Sequence, residues 1–154
     1  MTKPDDKAHA PIPALSLDHV AHVVPNLEAA GRFYRETYGC PVSTPVTIAA
    51  QQIRIAYAEF ANARIELIEP LGDGSPVSGF LRRTGIGGLH HVCFTTADAD
   101  EAANAAQSAG LRLAGSDRPH PGHHGRPLFF LNPKDTLGAL TEIETGEKQD
   151  IEKG

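Results

Sequence analysis

Leu17-Asp18-His19-Val20-Ala21 returns later in the chain as Leu89-His90-His91-Val92-Cys93. Ile65-Glu66-Leu67 returns in the same way as Thr141-Glu142-Ile143. His19 and His91 are 72 residues apart, and Glu66 and Glu142 are 76 apart. A stretch that recurs with its histidine and its carboxylate in matching places predicts a duplicated unit. Working outward from the first copy, Leu17 to Val24 is rich in β-branched residues and reads as a strand. Asn26 stands where an N-cap would be, and Leu27, Ala30, Tyr34 and Tyr38 recur near helical spacing up to Gly39. Short strands are predicted around Val42–Ile48, Gln52–Phe60 and Ala63–Glu69.

The second copy repeats that order. Leu89–Thr95 reads as a strand, and Asp98 with Glu101 forms a capping-box pattern. An alanine-rich helix runs to Ala109, with Gly110 as its stop, and strands follow at Leu111–Ala114, Pro127–Leu131 and Ala139–Glu144. Each copy is therefore βαβββ, and the fold class is α+β: two tandem βαβββ modules forming a curved mixed sheet with a metal-centred cleft. The expected boundaries are a disordered lead over 1–15, a first module over 16–72, and a linker with a short helix over 73–87. A second module follows over 88–146, then a polar tail over 147–154.

Alternation along a strand puts His19, Ala21 and Val23 on one side and His22 on the other. In the second copy His91, Cys93 and Thr95 share a side and His90 faces away. The repeat thus selects His19 and His91, and leaves His22 and His90 as structural or surface histidines. Glu66 and Glu142 each interrupt an otherwise apolar strand, where an unpaired carboxylate is costly to bury. Two histidines and two glutamates at repeat-equivalent places make a ligand set for one divalent cation. Imidazole and carboxylate donors suit Zn, Co, Ni, Mn or Fe. Four protein ligands in an octahedral shell leave two positions for a substrate that chelates through two oxygens. The metal then acts as a Lewis acid on a carbonyl, beside glutamates able to move a proton.

Composition narrows the partners. The formal charge of −5 argues against nucleic acid or an anionic membrane, and no apolar run reaches the length of a bilayer span. Cys40 and Cys93 are far apart and outside any CxxC pattern, as expected of reduced thiols in a cytoplasmic protein.

These residues resemble the vicinal oxygen chelate (glyoxalase/bleomycin resistance) superfamily and, within it, the methylmalonyl-CoA epimerase family. The resemblance spans about residues 16–146. Its specific part is Ile65-Glu66-Leu67-Ile68-Glu69-Pro70-Leu71-Gly72 with Ser75-Pro76 and Gly79-Phe80-Leu81, then Phe130-Leu131-Asn132-Pro133-Lys134-Asp135 and Gly138-Ala139-Leu140-Thr141-Glu142. It implies His19, Glu66, His91 and Glu142 as metal ligands, and one divalent ion, Co2+ ahead of Zn2+, Ni2+, Mn2+ or Fe2+. It also implies an acyl-CoA substrate, a homodimer, and epimerisation by removing the α-proton and returning one on the opposite face. Glu66 and Glu142 are the expected acid/base pair. Some members carry a carboxylate in the third strand, where this chain has Ile55.

The loop from Pro119 to Arg126 is rich in glycine and histidine. It is expected either to contact the CoA phosphates through His124 and Arg126, with Lys134, or to be an exposed hairpin connection. Three rivals share the architecture. A glyoxalase I-type lactoylglutathione lyase uses the same ligand types, but the linker and closing motifs argue against it. A ring-cleaving dioxygenase normally uses two histidines and one glutamate, so a fourth ligand counts against it. A metal-free protein that sequesters a small drug needs no such ligands.

Overall fold

A computed structural model describes residues 9–147. The elements are β1 (Ser16–Val23), α1 (Leu27–Tyr38), β2 (Val46–Ile48), β3 (Ile53–Glu59), β4 (Arg64–Pro70), α2 (Ser78–Thr84), β5 (Gly88–Thr96), α3 (Ala99–Ser108), β6 (Leu113–Ala114), β7 (His120–Pro121), β8 (Pro127–Leu131) and β9 (Thr141–Thr145). By packing, the described residues divide into 19–91 and a second unit made of 9–18 with 92–147.

In the unit 19–91 the strands lie in the order β2-β3-β4-β1. β1 runs parallel to β4, and the other pairs are antiparallel. α1 forms because Asn26 accepts the Ala29 N–H through its side chain. Gly39, at φ 69°, ends the helix and donates its N–H to the Arg35 carbonyl. Leu27 and Tyr34 of this helix are buried against Ala56, Ala58 and Leu67. The opposite face of the sheet carries Ala21, Val23, Ile53, Ile55 and Ile68, covered by Val77, Phe80 and Leu81. Fully burying an aliphatic side chain such as Leu67 or Ile55 stabilises the fold by about 1.5–3 kcal/mol.

The second unit has the same plan. Its order is β5-β9-β8-β6, with β7 also on β8; β5 runs parallel to β9 and the rest are antiparallel. Asp98 caps α3 by accepting the Glu101 N–H. The helix buries Ala99, Ala102, Ala103 and Ala106 on Phe129, Leu131 and Ile143. Alanines with almost no side chain let the helix lie close to the aromatic ring.

Three expectations change. The lead expected to be disordered contributes order: Leu15 donates its N–H to the Thr95 carbonyl, Thr96 Oγ1 donates to the Pro13 carbonyl, and Ile12 packs beside α3's core. Residues 1–8 of that lead lie outside the described residues, as does the tail beyond Glu147. The strand expected from Val42 begins only at Val46, with Val42 making a single bridge to Ala58. Pro41 and Pro45 have no N–H to give a ladder, which shortens it. The short strand His120–Pro121 was not foreseen.

Candidate metal centre

Glu66 sits in β4 directly across from Ala21 on one side and Tyr57 on the other. Glu142 sits in β9 across from Cys93 and Phe130. The two glutamates therefore occupy the same register of the two halves, as the sequence repeat requires. Both face away from the helix that packs on their sheet.

The structure brings three of the expected ligands together. One atom each of His19, Glu66 and His91 can be chosen so that all lie within 4.8 Å of one another. His19 Nε2 is 3.8 Å from Glu66 Oε2, and the two imidazole centroids are 5.5 Å apart. The Nε2 atoms of both histidines are inaccessible to solvent. Two imidazoles and a carboxylate of this spacing, all buried or nearly so, fit a divalent transition ion, which ligates neutral imidazole and ionised carboxylate. The fourth expected ligand, Glu142, belongs to the second unit and is 6% exposed.

The other histidines have separate work. His22 points to the helix side and its Nδ1 is 2.9 Å from the Tyr34 hydroxyl; burial lowers its pKa. His90 Nδ1 shares a 2.8 Å hydrogen bond with His91 Nδ1, and its ring meets Phe80 edge-on at 5.1 Å. Burial, helped by the charges of His91 and Arg83, brings the His90 pKa down to about 4.

The loop 119–126 turns inward at its end. His124 Nε2 is 3.0 Å from Glu144 Oε2, while His124 Nδ1 accepts the Arg126 N–H at 3.0 Å. That pattern places the proton on Nε2. Burial first, and then the Arg126 charge, brings the His124 pKa down to about 4. Arg126 donates from Nε to the Thr145 carbonyl and lies 3.6 Å from Glu147. Lys134 is exposed, in a turn where its N–H is capped by Asn132. Asp135, next to it, is clamped by the Arg112 guanidinium, which holds its carboxyl down to about 2.

The sequence reading passed over two residues beside the cluster. The Tyr57 hydroxyl donates to Glu66 Oε2 at 2.9 Å, and the Arg64 guanidinium lies 4.0 Å from the Tyr57 ring centroid. The signal was available. Folding the chain back between Glu59 and Arg64 sets Tyr57 opposite Glu66.

Comparison with known proteins agrees with this geometry. The family profile described as the Glyoxalase/Bleomycin resistance protein/Dioxygenase superfamily matches residues 18–130. An ethylmalonyl-CoA/methylmalonyl-CoA epimerase of Cereibacter sphaeroides is 43% identical over 128 residues, covering 83% of this chain and 96% of its own. The mitochondrial methylmalonyl-CoA epimerase of Homo sapiens is 37% identical over 128 residues, covering 83% of this chain and 72% of its own. A solved methylmalonyl-CoA epimerase in complex with methylmalonyl-CoA and NH4+ is 33% identical, with a TM-score of 0.77, covering 88% of this chain and 96% of its own. The family and the His19–Glu66–His91 cluster together support a divalent metal.

Proposed function

The chain belongs to the Glyoxalase/Bleomycin resistance protein/Dioxygenase superfamily and, within it, to the methylmalonyl-CoA epimerases, and we propose accordingly that it interconverts the (R) and (S) forms of methylmalonyl-CoA or a close acyl-CoA. The observation that carries the reading is the buried His19–Glu66–His91 cluster in a chain 43% identical to an epimerase. His19, Glu66, His91 and Glu142 would hold the ion, with Co2+ the first candidate. When bound, the metal supplies a Lewis acid that stabilises the negative charge developing on the thioester oxygen as the α-proton leaves. Glu142 and Glu66 serve as the proton acceptor and donor on opposite faces of the α-carbon: one takes the proton, the other returns one, and the carbon is inverted. The repeat-equivalent register of the two glutamates supports that pairing. His124, Arg126 and Lys134 are proposed to lie toward the acyl-CoA. The reading carries with it a cytoplasmic homodimer.

Proton NMR of methylmalonyl-CoA in deuterated water tests the proposal. The protein is assayed as prepared, after chelation, and after Co2+ is restored. The expected result is metal-dependent loss of the α-proton signal with interconversion of the two epimers. Absence of exchange in the Co2+-loaded protein, with intact Co2+ binding, overturns it.

A further inference from the structure

We infer that Tyr57 and Arg64 form a positioning pair that fixes the Glu66 carboxylate and thereby sets how tightly the His19–Glu66–His91 cluster holds a metal ion. The inference rests on the metal reading of that cluster. A glutamate on a strand can rotate about three side-chain bonds, and losing that freedom on binding a metal weakens the binding. Here the freedom is already restricted. Tyr57 stands directly across the β3–β4 ladder from Glu66, and its hydroxyl donates to Oε2. That oxygen is the one facing His19 Nε2 at 3.8 Å. A single hydrogen bond from this antiparallel neighbour restricts the carboxylate and keeps it turned toward the imidazole.

The tyrosine is itself held. Arg64 lies two residues before Glu66 on the same face of β4, with its guanidinium 4.0 Å from the centre of the Tyr57 ring. His19 meets the same ring at 6.5 Å in an edge-on arrangement. A cation over the ring face draws electron density from the phenol and makes its O–H a stronger donor. Hydrogen bonds to ligating carboxylates from such outer partners typically change metal affinity by about 10–100-fold.

The second half of the molecule supplies the internal control. Phe130 occupies the register of Tyr57, opposite Glu142. The fold therefore accepts a plain phenyl ring at this place, and the hydroxyl is an addition made only on the Glu66 side.

Tyr57→Phe keeps the ring and the stacked guanidinium and removes only the donor. The full chain is stripped of metal, then titrated with Co2+ by calorimetry, and its visible Co2+ absorption spectrum recorded. The expected result is a Co2+ dissociation constant raised about tenfold and an altered spectrum, with the thermal midpoint of the metal-free protein unchanged. Arg64→Gln is expected to weaken Co2+ by a smaller factor in the parent chain and to have no further effect on top of Tyr57→Phe. Wild-type affinity and spectrum in Tyr57→Phe overturns the inference. An equal loss from Arg64→Gln in both backgrounds overturns the part in which Arg64 acts through the tyrosine. Failure of the parent chain to bind Co2+ overturns the metal reading itself, and is told apart from the other two by the parent titration alone.

Discussion

Glu66 and Glu142 are residues at which the chain departs from what a stable sheet would choose. Each puts a carboxylate into a strand at little solvent exposure: between Ile65 and Leu67 in one case, and between Thr141 and Ile143 in the other. Such a placement costs stability unless a cation or donors compensate. Glu66→Gln and Glu142→Gln are therefore each expected to lower α-proton exchange by at least about 100-fold, the scale of a general acid/base contribution, measured by loss of the α-proton signal in deuterated water. Full exchange in both variants with Co2+ bound would remove the two-glutamate mechanism. A different kind of residue constraint operates at Gly87. Its φ is 93°, and a Cβ there would lie 2.1 Å from the Val23 carbonyl oxygen. Gly87→Ala must shift backbone as well as adopt a strained conformation, so a loss of at least about 2 kcal/mol is expected in urea unfolding. His19, His91, Glu66 and Glu142 stand out in the sequence as candidate ligands because the repeat marks each residue type twice. Tyr57 and Arg64 are marked only by the cross-strand register that the turn between Glu59 and Arg64 sets, and not by a residue pattern within one strand.

At the level of elements, the helix starts are the most local features of the fold and the easiest to read. Asn26 and Asp98 are 72 residues apart, the same offset as His19 and His91, and both accept the N–H three residues on. Replacing Asn26 by Ala is expected to cost about 1 kcal/mol, seen as a lower urea midpoint with no change in Co2+ affinity. The strands around Glu66 and Glu142 were equally plain, since β-branched residues recur there: Ile65 and Ile68 in one, Thr141, Ile143 and Thr145 in the other. β7 has only two residues, too short for any period to declare itself, and β6 keeps only the last two residues of the strand expected over Leu111–Ala114. The strand at Val46 was overextended because its apolar residues suggested pairing that Pro41 and Pro45 cannot join. The inward turn of the 119–126 loop was invisible for another reason. It depends on the His124–Glu144 contact across 20 residues, and on Gly122, where a Cβ would come within 3.0 Å of the His124 ring.

Over the whole molecule, acidity should act through half-buried histidines. The His124 pKa is brought down to about 4, and burial lowers that of His22 as well. The unfolded chain takes up these protons near pH 6.5, while the folded one does so only at lower pH. Stability from these groups is thus fully present above about 6.5 and is lost as the pH falls toward 4. The metal-free protein is expected to show a lower urea midpoint at pH 5 than at pH 7.5, and His124→Gln a shallower decline between them. Metal acts in the opposite sense: free Co2+ at 100 times its dissociation constant should add about 2.7 kcal/mol, and chelation should remove that gain in a thermal melt. One further consequence concerns how the chain is made. The Leu15 amide finds its acceptor on Thr95, 80 residues downstream. At a synthesis rate of roughly 5–20 residues per second, Leu15 is made roughly 4–16 s before that acceptor has been translated. The segment around Leu15 is made well before its partner yet docks only after it, and until Thr95 emerges it is open to any protease or chaperone at the exit tunnel.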